Sequence, residues 1–98
     1  AAPMVGFASF PRSGFRLTRG ELAAYASSSH ATRRFCPTCG SQLVFDDSRY
    51  PGEIDIALCS LDDPDAALPR HHIWTGSQRP WVRLDDGLSA YPERSPQT

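Results

Sequence analysis

The chain lacks three features that would each assign it to a broad class. Its 98 residues contain no apolar run approaching the roughly 18 residues of a membrane span, so we expect no membrane partner. Ten basic and eleven acidic side chains give a formal charge of −1, so the basic excess typical of nucleic-acid binding is missing. The apolar start at Ala1 has no basic region beside it, which argues against a signal peptide.

Cysteine is also scarce. The chain has three cysteines, and an odd number does not suit the disulfide framework of a small secreted domain. Reduced thiols are typical of the cytosol, so we expect a cytoplasmic protein. The sequence does not predict an oligomeric state.

The chain length and the number of turn-forming residues limit the possible folds. A chain of 98 residues predicts a single domain over 1–98 with a marginal core, for which a bound metal is the expected stabiliser. Nine prolines and seven glycines favour frequent turns over long helices. The predicted class is therefore mainly β, with short antiparallel strands and at most short helical turns.

The most informative motif is Cys36-Pro37-Thr38-Cys39-Gly40, which is typical of a zinc knuckle. Such a turn aims two thiolates at one point, and the glycine lets the backbone fold back towards the sulfurs. Zinc takes four ligands in a structural site. The remaining candidates do not form a second pair at knuckle spacing, so we expect the first half of the site to lie upstream of Ala1. Those candidates are Cys59, His30, His71 and His72.

A redox dithiol and an inert cysteine pair are the alternative interpretations of Cys36 and Cys39. A thioredoxin-like Cys-x-x-Cys begins a helix, whereas residues 40–45 here have a strand pattern, so zinc is favoured. We expect residues 32–35 and 42–45 to pair as antiparallel strands around this turn. Strict alternation over 53–58 predicts another strand, with Ile54, Ile56 and Leu58 on one face. Other predicted elements are strands at 4–10, 15–18 and 72–74, a strand or helix at 21–26, and a helical turn at 65–68.

The other chemically capable side chains have structural interpretations. Cys59 ends the strand 53–58 and is predicted to be a small core residue. His71 and His72 are adjacent on a strand and point to opposite faces, so at most one reaches any given metal. We expect one of them to be packed and the other solvated, and His30 to be solvated. The pairs Asp62-Asp63 and Asp85-Asp86 lie at predicted turns, and Trp74 and Trp81 are predicted to be core or pocket wall.

The motifs also occur in a particular order along nearly the whole chain. The run 33–43 around the cysteine turn is followed by the strand 53–58, then Ser60-Leu61-Asp62-Asp63-Pro64, His72-Ile73-Trp74, Trp81 and the stretch 84–88. Upstream lie Gly20-Glu21-Leu22, Tyr25 and Ser27-Ser28. In this order and spacing the sequence resembles the glutathione-dependent formaldehyde-activating enzyme family, also called the centromere protein V-like family. Nearly the whole chain corresponds to the C-terminal two-thirds of a family member.

The resemblance implies a zinc-stabilised, tent-like β fold. It also implies that Cys36 and Cys39 match the later of two cysteine pairs that hold a structural Zn²⁺. Family members carry an early Cys-x-Cys pair and a Cys-x-Cys-x-x-Cys motif for a second, catalytic zinc, and neither motif is in this sequence. The implied site residues are thus Cys36 and Cys39 as metal ligands, with no catalytic residue in this chain and no assigned cofactor-binding residue.

The resemblance further implies a function for the complete protein. It would be a zinc-dependent carbon–sulfur lyase that reversibly adds a thiol such as glutathione to an aldehyde such as formaldehyde. The alternative is a non-catalytic, zinc-stabilised binding module, because family membership by itself does not fix a substrate.

Overall fold

The computed structural model describes residues 2–96, which contain seven short strands and three 3-10 turns. The strands are β1 (Phe7–Pro11), β2 (Ala23–Ala26), β3 (Ala31–Phe35), β4 (Gln42–Asp47), β5 (Glu53–Ala57), β6 (His71–His72) and β7 (Ser89–Ala90). The 3-10 turns span Arg12–Gly14, Leu58–Ser60 and Thr75–Ser77. The predicted mainly β class is confirmed. Two compact units can be separated, a larger one formed by Gly6–Ala67 and a smaller one formed by residues 2–5 and 68–96.

The larger unit is one antiparallel sheet with the strand order β1-β5-β4-β3-β2. The predicted pairing around the cysteine turn is confirmed, because β3 and β4 are neighbours and the turn joins them directly. A register shift between Arg34 and Phe35 bends β3 just before the first cysteine. Such a bulge changes the direction of a strand locally and so helps to aim the residues that follow it.

The two faces of this sheet differ in burial. Val44 lies opposite both Ile56 and Arg34, and these residues share the core face with Ile54. Val44 and Ile54 are only 2% and 3% exposed, so they form the centre of the core. The other face is partly exposed: Ala31 and Ala57 are buried there, whereas Phe7 and Phe45, whose ring centroids are 6.4 Å apart, are half-buried.

The strand predicted over 53–58 ends earlier than expected. β5 stops at Ala57, and the chain turns through Leu58–Ser60, where the Leu61 N–H donates to the Leu58 carbonyl. The Ser60 hydroxyl donates to the Ala57 carbonyl at 2.7 Å and reinforces this turn. Leu58 is buried as predicted, but Cys59 is exposed, so its predicted core position is wrong. The turn rotates Cys59 out of the alternation on which that prediction depended.

Two other predicted elements are absent from the part of the chain that the structure describes. Residues 15–18 form no strand; they belong to the connection between β1 and β2, which Arg12 anchors by donating to the carbonyls of Pro51 and Glu53. Residues 65–68 form no helix. The Asp63 side chain accepts from the Asp65 N–H and its carbonyl accepts from the Ala66 N–H, and the chain then leaves the turn.

The smaller unit contains β6 and β7, which pair in parallel. Backbone hydrogen bonds hold residues 68–96 of this unit together. The N–H groups of Trp74, Thr75 and Gly76 donate to the carbonyls of Glu93, Tyr91 and Pro92, respectively. Trp74 has a positive φ of 57°, a left-handed conformation that is unusual for a bulky side chain. Trp74 and Trp81 are 52% and 69% exposed, so neither is the core residue that was one of the two predicted possibilities. β6 also ends at His72, before the predicted end at Trp74.

Candidate functional site

The cysteine turn is a compact hydrogen-bonded loop between β3 and β4. The Cys36 N–H donates to the Ser41 carbonyl at 2.9 Å, and the Gly40 N–H donates to the Cys36 carbonyl at 2.8 Å. Gly40 adopts a φ of +80°, where a side chain would be strained. These bonds fix the ends of the turn, and the paired strands hold the turn at the margin of the sheet.

Both thiols in this turn are free. Cys36 is half-buried and Cys39 is exposed, and neither forms a disulfide. The Ser41 hydroxyl lies 3.2 Å from the Cys39 sulfur, and its hydrogen bond holds the pKa of Cys39 below the ordinary thiol value. The Ser41 backbone and the Cys36 side chain lower that pKa further. The arrangement therefore favours a thiolate, which is the form of cysteine that binds metals.

The donors in this turn fit half of a structural zinc site. Two cysteines on a glycine-containing turn between strands are the chemically correct ligands, but a closed tetrahedron requires four. No group of three or more metal-ligating side chains occurs within residues 2–96. The structure accordingly does not bring Cys59, His30, His71 or His72 together with Cys36 and Cys39 as a ligand set.

The histidines have other partners. The His72 Nε2 atom lies 2.7 Å from the Asp86 carboxylate, and the His71 ring meets the Tyr91 ring edge-on at a centroid distance of 5.8 Å. Both are half-buried, which corrects the prediction that one is packed and one solvated. His30 is half-buried too, because its carbonyl accepts from the Ser48 N–H and ties its loop to the end of β4.

One aspartate of each pair has the turn role that its position predicted. The Asp63 carboxylate accepts from the Asp65 N–H, and the Asp86 carboxylate accepts from the Leu88 N–H, both at 3.1 Å. The bond from Leu88, followed by that from His72, holds the pKa of Asp86 below its usual range. Both carboxylates stabilise turns, and Asp86 in addition pairs with His72.

One charged cluster was not predicted from the sequence. The Asp46 carboxylate, which is 14% exposed, forms an ion pair with Arg12 and a looser one with Arg34 at 3.7 Å. Both residues lie on the core face of the sheet. Asp46 is two residues after Val44 on β4, and Arg34 lies directly opposite Val44 on β3. The cross-strand register of β3 and β4 was the signal that could have found this pair.

A second missed group is Asp55, on the half-exposed face of the sheet. Its carboxylate accepts a 2.5 Å hydrogen bond from the Ser9 hydroxyl, across the pairing of β1 with β5. Burial raises the pKa of Asp55, and the nearby Asp47 and Asp46 charges raise it further. The alternation over 53–58 placed Asp55 opposite the isoleucines but gave no reason to expect a perturbed carboxyl.

An open groove of about 450 Å³ lies on the larger unit beside this charged cluster. It is bordered by the connection between β1 and β2 on one side and by the sheet on the other. Its lining combines apolar side chains with three charged ones: Arg12, Phe15, Leu17, Glu21, Leu22, Arg34 and Ile54.

The chain is similar to a known protein family. The sequence model described as glutathione-dependent formaldehyde-activating enzyme matches residues 1–77. The matched part contains the cysteine turn, the whole five-stranded sheet and the groove, whereas Trp81 and the stretch 84–88 lie beyond it. No curated protein matches the chain. No helix within residues 2–96 is long and apolar enough to cross a membrane.

Proposed function

Because this chain belongs to the glutathione-dependent formaldehyde-activating enzyme family, we propose that it acts in a zinc-dependent carbon–sulfur lyase. Membership supports glutathione-linked chemistry on formaldehyde in general. The specific reaction we propose is the reversible addition of the glutathione thiol to the aldehyde. The single observation that carries the proposal is the family match across residues 1–77, which includes the cysteine turn.

The proposed reaction is balanced without a redox step. The thiolate sulfur bonds to the carbonyl carbon, the π electrons of the carbonyl move to oxygen, and that oxygen takes the proton lost by the thiol. The product is an S-hydroxymethyl adduct, and the reverse reaction releases the aldehyde. Zinc, when bound, lowers the pKa of a thiol and polarises a carbonyl oxygen.

The residues of this chain have a structural part in that proposal. Cys36 and Cys39 would supply two thiolates to a structural zinc, and the turn between β3 and β4 holds them in place. A reacting zinc needs its own ligands, and residues 2–96 contain no group of three that could provide them. Those ligands would come from outside these residues, so we assign no catalytic residue within them.

The test is an exchange NMR experiment with ¹³C-formaldehyde and glutathione. The spontaneous addition gives the baseline rate, and we expect the zinc-loaded protein to accelerate interconversion of free and adduct forms. The measurement should be made on the 98-residue chain and on its longest natural form. Cys59→Ser is the control, because an exposed thiol reacts with formaldehyde by itself. If the longest natural form, loaded with zinc, leaves the baseline rate unchanged, that result would contradict the proposed lyase reaction and favour the binding-module alternative.

A further inference from the structure

The groove beside the charged cluster has a guanidinium group that is available to a ligand. Arg34 is 38% exposed and contacts Asp46 only at 3.7 Å, beyond hydrogen-bond distance. Its guanidinium donates no hydrogen bond to any acceptor within residues 2–96, although arginine carries five N–H donors. Arg12, in contrast, is occupied by Asp46 and by the carbonyls of Pro51 and Glu53.

The same groove also has an available carboxylate. Glu21 is exposed, lines the groove, and has no ion pair or side-chain hydrogen bond with the described part of the chain. The groove therefore carries a guanidinium whose N–H donors are not engaged in hydrogen bonds, beside its loose ion pair with Asp46, and a carboxylate with no partner in the described part of the chain. Four apolar side chains lie in the same lining: Phe15, Leu17, Leu22 and Ile54.

This combination matches the chemistry of a zwitterion. A simple anion would be attracted by Arg34 but repelled by Glu21. A simple cation would be attracted by Glu21 but repelled by Arg34. A head group with both an ammonium and a carboxylate satisfies both residues, and an attached aliphatic chain can lie along the apolar lining. The groove volume of about 450 Å³ is within the range of about 300–1,000 Å³ that is usual for small-molecule sites.

We propose that this groove binds the zwitterionic α-amino-acid head group of the thiol substrate. The Arg34 guanidinium holds the α-carboxylate, Glu21 holds the ammonium, and the side-chain methylenes contact Leu17 and Leu22. The choice of ligand rests on the proposed function, since the γ-glutamyl end of glutathione is such a head group. Arg34 and Glu21 are then specificity-determining residues rather than catalytic ones.

The test uses S-methylglutathione, which retains the head group and cannot form the adduct. Binding is measured by chemical-shift titration of the isotope-labelled chain. We expect shifts at residues around Arg34 and Glu21, and a dissociation constant raised about tenfold by Arg34→Gln, as for loss of a charge-assisted hydrogen bond. Glu21→Gln should also weaken binding several-fold.

Arg33→Gln is the matched control. Arg33 precedes Arg34 on the same strand, and its substitution removes the same charge. Its guanidinium, however, lies 5.0 Å from the centre of the Phe45 ring, on the opposite face of the sheet. We expect Arg33→Gln to change the dissociation constant less than about twofold. Equal weakening by both arginine variants would show a general charge effect and overturn the proposal.

Ligand analogues provide a test that does not depend on the stability of the variants. N-acetylation of the γ-glutamyl amine removes the ammonium, and it should weaken binding to the wild type but not to Glu21→Gln. Such non-additivity is expected only where the two groups interact directly. Equal losses in both proteins would overturn the assignment of Glu21, as would unchanged binding after acetylation.

The two proposals fail separately. Groove binding that depends on Arg34 without accelerated adduct formation would overturn the lyase reaction and leave the binding site standing. Accelerated adduct formation with no groove shifts, or with no effect of Arg34→Gln, would overturn the binding site and leave the lyase standing.

Discussion

Asp47 is the residue whose charge is most directly linked to local structure. Its carboxylate accepts from the Arg49 backbone N–H at 2.9 Å and from the Arg49 guanidinium at 2.8 and 3.1 Å. These bonds, chiefly those from the Arg49 side chain, lower the pKa of Asp47 to about 2. The pair thereby fixes the turn that follows β4, at the point where the chain reverses towards β5.

This pair predicts a pH-dependent contribution to stability. A carboxylate whose pKa is depressed by folding stabilises the native state fully above its unfolded pKa, and that stability is lost as pH falls towards the folded pKa. Arg49 is half-exposed, so Arg49→Gln should reduce the unfolding free energy only slightly at pH 7, because solvent screens such a pair. The difference between wild type and variant should shrink as pH falls from about 4 to about 2.

Urea unfolding at pH 7 and at pH 2.5 measures this difference. Arg16→Gln is the control, because Arg16 is exposed and forms no ion pair within residues 2–96. A gap between wild type and Arg49→Gln that is equally large at both pH values would show that Arg49 acts through packing instead of through the Asp47 charge.

The turn that carries Cys36 and Cys39 depends on the backbone conformation of one residue. Gly40 has a φ of +80°, and in that region an L side chain costs roughly 1–2 kcal/mol. A Cβ would meet no atom within 4 Å, so the cost comes from the backbone alone. Gly40→Ala should therefore lower the unfolding free energy by about 1 kcal/mol, after allowance for the reduced entropy of the unfolded chain.

Gly14→Ala is the matched control for this element. Gly14 also has open space around its Cα, but it lies in a 3-10 turn without a positive φ. We expect Gly14→Ala to change the unfolding free energy of the protein by less than about 0.5 kcal/mol. If thermal melts of the two variants coincide, the left-handed conformation of Gly40 is not important for the cysteine turn.

The elements show which parts of the fold could be predicted from the sequence. The hairpin of β3 and β4 was predictable because alternating strands flank a turn with an obligatory glycine, and both signals are local. The end of β5 was not, since the turn at Leu58–Ser60 depends partly on the Leu58 N–H bonding to the distant Gly6 carbonyl. Residues 15–18 alternate like a strand but have no neighbouring strand to pair with in the described sheet.

The same distinction applies to the functional residues. Cys36 and Cys39 could be proposed as ligands because their spacing alone indicates a shared site. The groove could not, because Glu21 lies in the connection between β1 and β2 and Arg34 lies on β3, and only the fold brings both to the lining of one groove. Arg34 also looks equivalent to Arg33 in the sequence, and only the strand register shows which of them faces the groove.

At the scale of the whole molecule, the described chain has a small core. The buried apolar residues are Ala31, Val44, Ile54, Ala57 and Leu58, and no large side chain within residues 2–96 is fully buried. Burying a Val, Leu or Ile side chain contributes about 1.5–3 kcal/mol, so three such residues offset only a small part of the conformational entropy lost on folding. A metal at the cysteine turn would therefore have a large relative effect.

This small core leads to a prediction about zinc. A structural zinc site with four ligands contributes roughly 10–16 kcal/mol, but Cys36 and Cys39 fill only two of the four positions. We expect the 98-residue chain to bind zinc weakly and to gain only a few degrees in melting temperature from it. Cys36→Ser should abolish that gain, and Cys59→Ser should retain it, because Cys59 lies on a separate, exposed turn.

The measurements are zinc content after dialysis, the melting temperature with and without a chelator, and the thiolate-to-metal absorption after cobalt substitution. Two bonded sulfurs should give a cobalt spectrum that is lost in Cys36→Ser and unchanged in Cys59→Ser. In a natural form that adds two further thiolates, the chelator should unfold the protein, because metal binding and folding are then one process. A thiolate-to-cobalt absorption that survives Cys36→Ser would show that the metal is bound by a remaining thiol, Cys39 or Cys59, and would contradict the two-sulfur site.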